Sequence, residues 1–114
     1  MSAKPHVPAT RQLKKRLGAS VDTSKHGCWA ASFDSSKISF LPEAVITPRK
    51  EKEVGILLEL ANKHRVPVTV RGRGTTLMGS AAPVRGGWVI DMRKLKGIKI
   101  DADAGMAHAG AGAT

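Results

Sequence analysis

The sequence predicts an α/β fold built on a strand–helix–strand unit, and three local patterns predict it. Ala44-Val45-Ile46-Thr47 is a β-branched run between Pro42 and Pro48, the mark of a brief buried strand. Val54, Leu57, Leu58 and Ala61 recur at i, i+3, i+4 and i+7, which is the apolar stripe of a core-facing helix. Val66 to Val70 then form a second β-branched run. Such a unit takes roughly 30 residues and favours parallel strands joined by a right-handed crossover.

Size and composition bound what can be built around that unit. The chain has 114 residues, 41% of them hydrophobic and 25% charged, an ordinary globular balance that excludes both a low-complexity chain and a multidomain enzyme. At this mass roughly 65% of the extended chain's surface can be buried, so a modest core is available. A formal charge of +10 makes the surface basic and brings anionic partners into consideration. One cysteine, Cys28, can form no internal disulfide and has no zinc-ligand neighbours, so no metal site is expected. The opening residues lack an apolar signal region, and cytoplasmic residence is expected, although a basic, acid-poor start also suits an organelle transit peptide.

The remaining elements follow in chain order. Thr10 to Leu17, capped by Thr10 and ended by Gly18, is a short helix with Leu13 and Leu17 stacked at i, i+4, expected to pack weakly. Val21 to Ser39 has no clear period and reads as an irregular lead-in, so residues 1–37 form a basic N-terminal segment and residues 38–114 the folded unit. In the central helix Glu51 and Glu53 open the first turn and Lys63, His64 and Arg65 close the last, both complementing the helix dipole. Pro67 bars its continuation. Beyond the second strand, Trp88 to Met92 and Ile98 to Asp101 read as further strands and Gly105 to Ala109 as the start of another, with Gly110 and Gly112 loosening it. No closing helix follows, so the fold reads as truncated.

The chemically informative stretch is Arg71-Gly72-Arg73-Gly74-Thr75-Thr76-Leu77-Met78-Gly79-Ser80, into which the second strand empties. Gly72 and Gly74 are free to take positive φ and turn successive N–H groups into one concavity, a nest for phosphate oxygens. Thr75 and Thr76 would add hydroxyl donors, and Gly79 and Ser80 a second stretch of approaching backbone. A P-loop is disfavoured because no Lys follows Gly79, and the dinucleotide fingerprint because Leu77 stands at its third glycine. On that reading Asp91 matches the ribose-binding acid only by coincidence. A ligand-free glycine turn is the plain alternative, against which stands the density of glycines and hydroxyls over nine residues. His64 reads as a dipole-complementing residue, His108 as exposed, Cys28 as an apolar filler, Trp29 and Trp88 as packing residues, and Lys14 to Arg16 as a solvated face. No catalytic residue is identified.

The ordered set Pro42-x-Ala44-Val45-Ile46-x-Pro48, Glu53-Val54, Pro67-Val68-x-Val70-Arg71-Gly72-x-Gly74-Thr75-x-Leu77-x-Gly79-x-x-x-Pro83, Gly87-x-Val89-Ile90-Asp91-Met92 and Ala109-Gly110 resembles the start of the FAD-binding domain of the vanillyl-alcohol oxidase/p-cresol methylhydroxylase (PCMH) type. Phe33-Asp34-Ser35-Ser36 is similar to the Tyr-Asp-x-Ser that precedes that domain in the glycolate oxidase and D-lactate dehydrogenase branch of FAD-linked oxidases. The resemblance implies the first α/β subdomain of a flavin domain, incomplete at its C-terminus. It further implies FAD held without a covalent link, since no His lies in the loop, with Arg71, Gly72, Arg73, Gly74, Thr75, Thr76, Gly79 and Ser80 as cofactor-binding residues. The parent reaction it implies is hydride transfer from a 2-hydroxy acid to the flavin. The chain alone would be inactive, with the substrate domain supplied by the remainder of the flavoenzyme or a partner subunit. Lys50 stands at the helix N-cap, where the family commonly has Ser or Thr. The rival reading is a basic nucleic-acid- or anion-binding module without catalysis, which the low aromatic content of 4% argues against for specific recognition.

Overall fold

A computed structural model describes residues 5–114; the first four residues of the expected N-terminal segment lie outside it. The elements are α1 (Val7–Leu17), a 3₁₀ turn (Gly18–Ser20), β1 (Val21–Asp22), α2 (Lys25–Ala30), β2 (Ala44–Ile46), α3 (Glu51–His64), β3 (Val68–Arg71), β4 (Trp88–Asp91), β5 (Ile98–Asp101) and β6 (Met106–Ala109). β1 to β4 form one mixed sheet in the order β1-β2-β4-β3, with β2 and β3 parallel to β4 and β1 antiparallel to β2.

The expected strand–helix–strand unit is β2-α3-β3, but its two strands are not neighbours, because β4 inserts between them. Apolarity decides the order. Trp88, Val89 and Ile90 are each at most 1% exposed, and a run apolar on both faces belongs at the centre of a parallel sheet. β3 carries the more exposed Val70 and takes the edge.

One face of the sheet holds the main core. Ala44, Ile46, Trp88 and Ile90 meet Leu57, Leu60 and Ala61 of α3 and Ala9 and Leu13 of α1. Weak packing of the first helix is therefore corrected: Leu13 is fully buried, and the Trp88 indole N–H donates to Thr10 Oγ1 at 2.9 Å. Thr10 lies inside the helix rather than capping it, because α1 begins at Val7 with Pro8 in its first turn, where a missing N–H costs nothing. The other face is thinner: Cys28 and Ala31, at the end of α2, cover Val45 and Val89. The stretch expected to be irregular thus contributes a strand and a helix.

In α3 the buried stripe runs through Leu57, Leu60 and Ala61, while Leu58 is exposed; Leu58 sits about 100° round the helix from Leu57. Lys50 occupies the N-cap without a side-chain cap. Glu53 compensates, its carboxylate accepting from Arg49 N–H at 3.2 Å and from the Ser20 hydroxyl at 2.9 Å.

β5 and β6 pair with each other as a separate antiparallel hairpin, every residue of which is exposed, His108 included. Its base is fastened by backbone contact. Gly110 N–H donates to Gly97 O at 2.9 Å and Gly112 N–H to Leu95 O at 2.8 Å, and a Cβ on either glycine would collide with the Met92–Leu95 backbone.

Candidate functional site at the carboxyl ends of the parallel strands

Side chains alternate across a strand, so position and parity decide what reaches a sheet's end. Val45 and Val89 point to the α2 face, and two residues further on Thr47 and Asp91 do the same. Arg71, paired with Asp91, joins them. Val45, Thr47, Asp91 and Arg71 line a cleft of about 590 Å³ walled by Gly27, Ala30 and Ala31 on one side and by Arg73 and Gly74 of the glycine loop on the other. It opens outside the carboxyl ends of β2, β3 and β4, where open α/β sheets receive their ligands.

The loop that forms the far wall is braced from a distant part of the chain. Arg71 Nη1 donates to Phe33 O at 2.8 Å, and Ser35 N–H donates to Gly74 O at 3.0 Å. Asp34, 4% exposed, accepts from Ser36 N–H at 2.9 Å and from the Ser36 hydroxyl through Oδ1, and from Ala81 N–H at 3.2 Å through Oδ2. The Ser36 hydroxyl, with the amides of Ser36 and Ala81 and the charge of Arg71, holds the Asp34 carboxyl below the ordinary carboxylate range against the opposing effect of burial. The Ser24 hydroxyl and amide do the same for Asp22 at the cleft's other side.

Of the eight sequence-predicted site residues, Arg71, Arg73 and Gly74 line the cleft. Gly74 and Gly79 adopt positive φ, +70° and +76°, but Gly72 does not, which corrects the expected pairing of Gly72 with Gly74. The steric demand falls on Gly74, where a Cβ would strike the Arg71 guanidinium, whereas a Cβ on Gly72 would meet nothing within 4 Å. Thr76 and Ser80 meet each other: Thr76 Oγ1 accepts from Met78 N–H at 3.2 Å and from the Ser80 hydroxyl at 3.3 Å. Thr75 is exposed, and Gly79 is buried against Ile38. Among the described residues, no acceptor takes the backbone N–H groups of residues 72 to 77, so these donors remain available to an anion at the cleft's edge.

Sequence reasoning missed three contributors. Asp34 carries a local signal, an Asp two residues before Ser36 in an Asx-type turn, but its reach to Ala81 is invisible in the sequence. Asp91 binds Arg93 through both oxygens, with Arg93 Nη2 at 2.6 Å and Nε at 2.9 and 3.0 Å, and this pairing raises the Arg93 pKa. The α2 wall falls in the stretch expected to be irregular. Cys28 is buried behind that wall, as a small apolar filler should be, and Trp88 is core, while Trp29 is 61% exposed and packs edge-on against Phe33 with ring centroids 5.8 Å apart.

This arrangement agrees with what comparison with known proteins finds. The D-lactate dehydrogenase of Archaeoglobus fulgidus is 37% identical over 90 residues, covering 75% of this chain and 20% of the relative. The glycolate oxidase subunit GlcD of Bacillus subtilis is 36% identical over 87 residues, covering 71% and 18%. The chain therefore spans about a fifth of the length of these relatives. Among solved structures, p-cresol methylhydroxylase with substrate bound superposes on all of this chain and 24% of its own with a TM-score of 0.82 at 24% identity, a likeness of fold. An alkyldihydroxyacetonephosphate synthase does so over 90% of this chain and 23% of its own with a TM-score of 0.75 at 24% identity.

FAD suits the residues present. Its diphosphate is a dianion, and the cleft edge offers unclaimed amides beside Arg71 and Arg73. Residues 42 to 114, which hold β2, the glycine loop and β4, match the sequence profile of the FAD binding domain family, and the chain belongs to that family, with FAD as its cofactor.

Proposed function

We propose that this chain provides the diphosphate-binding side of an FAD site in a dehydrogenase or oxidase of 2-hydroxy acids, and that it holds FAD without a covalent bond. The observation that carries the reading is the meeting of three parallel strand ends with a glycine loop whose amides from 72 to 77 have no internal acceptor. In this reading the 72–77 amides receive the diphosphate oxygens, Arg71 and Arg73 supply positive charge beside them, and Thr75, Thr76, Gly79 and Ser80 shape the loop around the linker. Each charge-assisted N–H bond in a water-poor edge is worth about 1.5–3 kcal/mol. Bound FAD supplies the two-electron acceptor; the residues of this chain position it and exclude water from its linker. The D-lactate dehydrogenase and glycolate oxidase relatives support a 2-hydroxy acid as substrate. A segment equivalent to the rest of such relatives, covalently joined or on a partner subunit, would contribute the substrate side and the catalytic groups. A cytoplasmic site of action fits this reading, and among the described residues no helix is long and apolar enough to cross a membrane.

Titrating the chain with FAD while following flavin fluorescence and the emission of exposed Trp29 tests the proposal. A saturable change is expected. Its absence up to high micromolar FAD overturns binding by this chain.

A further inference from the structure

A second cleft, of about 410 Å³, lies between the glycine loop, the β4–β5 turn and the backbone-fastened tail. Arg73, Arg93 and Lys96 line it together with Gly97 and Gly112, and no Asp or Glu does. Arg93 also borders the main cleft and a third one that contains Arg49 and Lys94, so its guanidinium stands where three clefts meet. Its direction is fixed: Nε and Nη2 are held by Asp91, which is 6% exposed, while Nη1 has no acceptor among the described residues. Arg73, across the cleft, has no hydrogen bond or ion pair among the described residues.

We propose that Arg73 and Arg93 form a two-guanidinium clamp for a phosphoanhydride, reading the diphosphate of a dinucleotide through side chains as well as through the amides of the glycine loop. The proposal rests on the FAD reading for the identity of the dinucleotide, and on the geometry of the second cleft for the clamp itself. Asp91 fixes one fork in advance, so little side-chain freedom is lost when the anion arrives, and a planar guanidinium matches phosphate oxygens bidentately. Arg73 closes from the loop side. The same chemistry would be offered by a free nucleoside diphosphate or by inorganic diphosphate, and the ligands of the test separate these sources.

The test is calorimetric titration of the wild-type chain and of Arg73→Gln, Arg93→Lys and Arg85→Gln with FAD, riboflavin, ADP and inorganic diphosphate, with thermal midpoints recorded for each protein. Arg73→Gln removes a charge without breaking any bond of the described structure. Arg93→Lys keeps the charge and loses the fork. Arg85, exposed and outside the three clefts, is the control. The clamp predicts that Arg73→Gln and Arg93→Lys each weaken FAD, ADP and diphosphate roughly tenfold and leave riboflavin unchanged, with a wild-type thermal midpoint in Arg73→Gln, a lowered one in Arg93→Lys because the buried Asp91 loses its bidentate partner, and Arg85→Gln silent. Wild-type FAD affinity in both variants overturns the clamp and leaves the FAD reading standing. Diphosphate binding that the variants weaken, in a protein that ignores FAD, keeps the clamp and overturns the dinucleotide reading. No binding of any phosphate ligand overturns both.

Discussion

Gly72 and Gly74 look equivalent in the sequence and carry opposite demands in the structure. Gly74 combines φ of +70° with an Arg71 guanidinium lying where its Cβ would go, so Gly74→Ala should cost about 1–3 kcal/mol from backbone strain and loosen the Arg71 brace as well. Gly72 has ordinary φ and open space. Gly72→Ala should therefore fold as wild type by urea denaturation and lose only FAD affinity, because the methyl group would stand where a ligand approaches. Asp34 predicts a pH effect of definite sign. Its native pKa lies below the ordinary carboxylate value, so its contribution is complete above the unfolded-state value of about 3.9 and is lost as pH falls through the lower native one. Urea midpoints of the wild type should fall as pH is lowered below about 4, and Asp34→Asn should flatten that fall, with Asp22 supplying the part that remains.

Among the elements, those governed by local pattern were legible and those governed by distant partners were not. α3 announces itself through its stripe, its charged ends and Pro67, and β4 through an unbroken apolar run. That β4 enters between β2 and β3 depends on which strand is apolar on both faces, a comparison across more than forty residues. The value of α1 depends on Trp88, seventy-eight positions from Thr10; a short helix with two leucines looks weak until its partner is known. Truncation makes the difference measurable. Leu13→Ala should cost about 2–5 kcal/mol, as expected for a fully buried leucine. Leu58→Ala, at 46% exposure, should fall within about 1 kcal/mol, although the sequence pattern places Leu58 in the core-facing stripe. The candidate site divides likewise: the glycine loop was readable from its composition, whereas the Asp34 brace and the Asp91–Arg93 pair arise from contacts that the fold creates.

At the scale of the whole molecule, a packed sheet and an exposed hairpin share one chain, with extents of 55 × 32 × 22 Å. Local stability should follow that division, since exposed strands without apolar cover open at low free energy. Native-state hydrogen exchange should find the amides of β4 protected to the level of global unfolding and those of β5 and β6 exchanging orders of magnitude faster. Equal protection in both would mean that the hairpin is covered in solution.

The stretch ahead of Pro42 changes how such a sequence should be cut. The match to the family profile begins at residue 42, yet the lid over Trp88, the strand that completes the β2 edge and the acid that pins Ala81 all come earlier. Expressing only residues 42 to 114 would strip an indole, open a sheet edge and unhook the very bend expected to meet the cofactor. For this chain the start of the family profile and the cooperative folding border are different lines, and excision at the first would yield an aggregating peptide in place of a smaller flavin module.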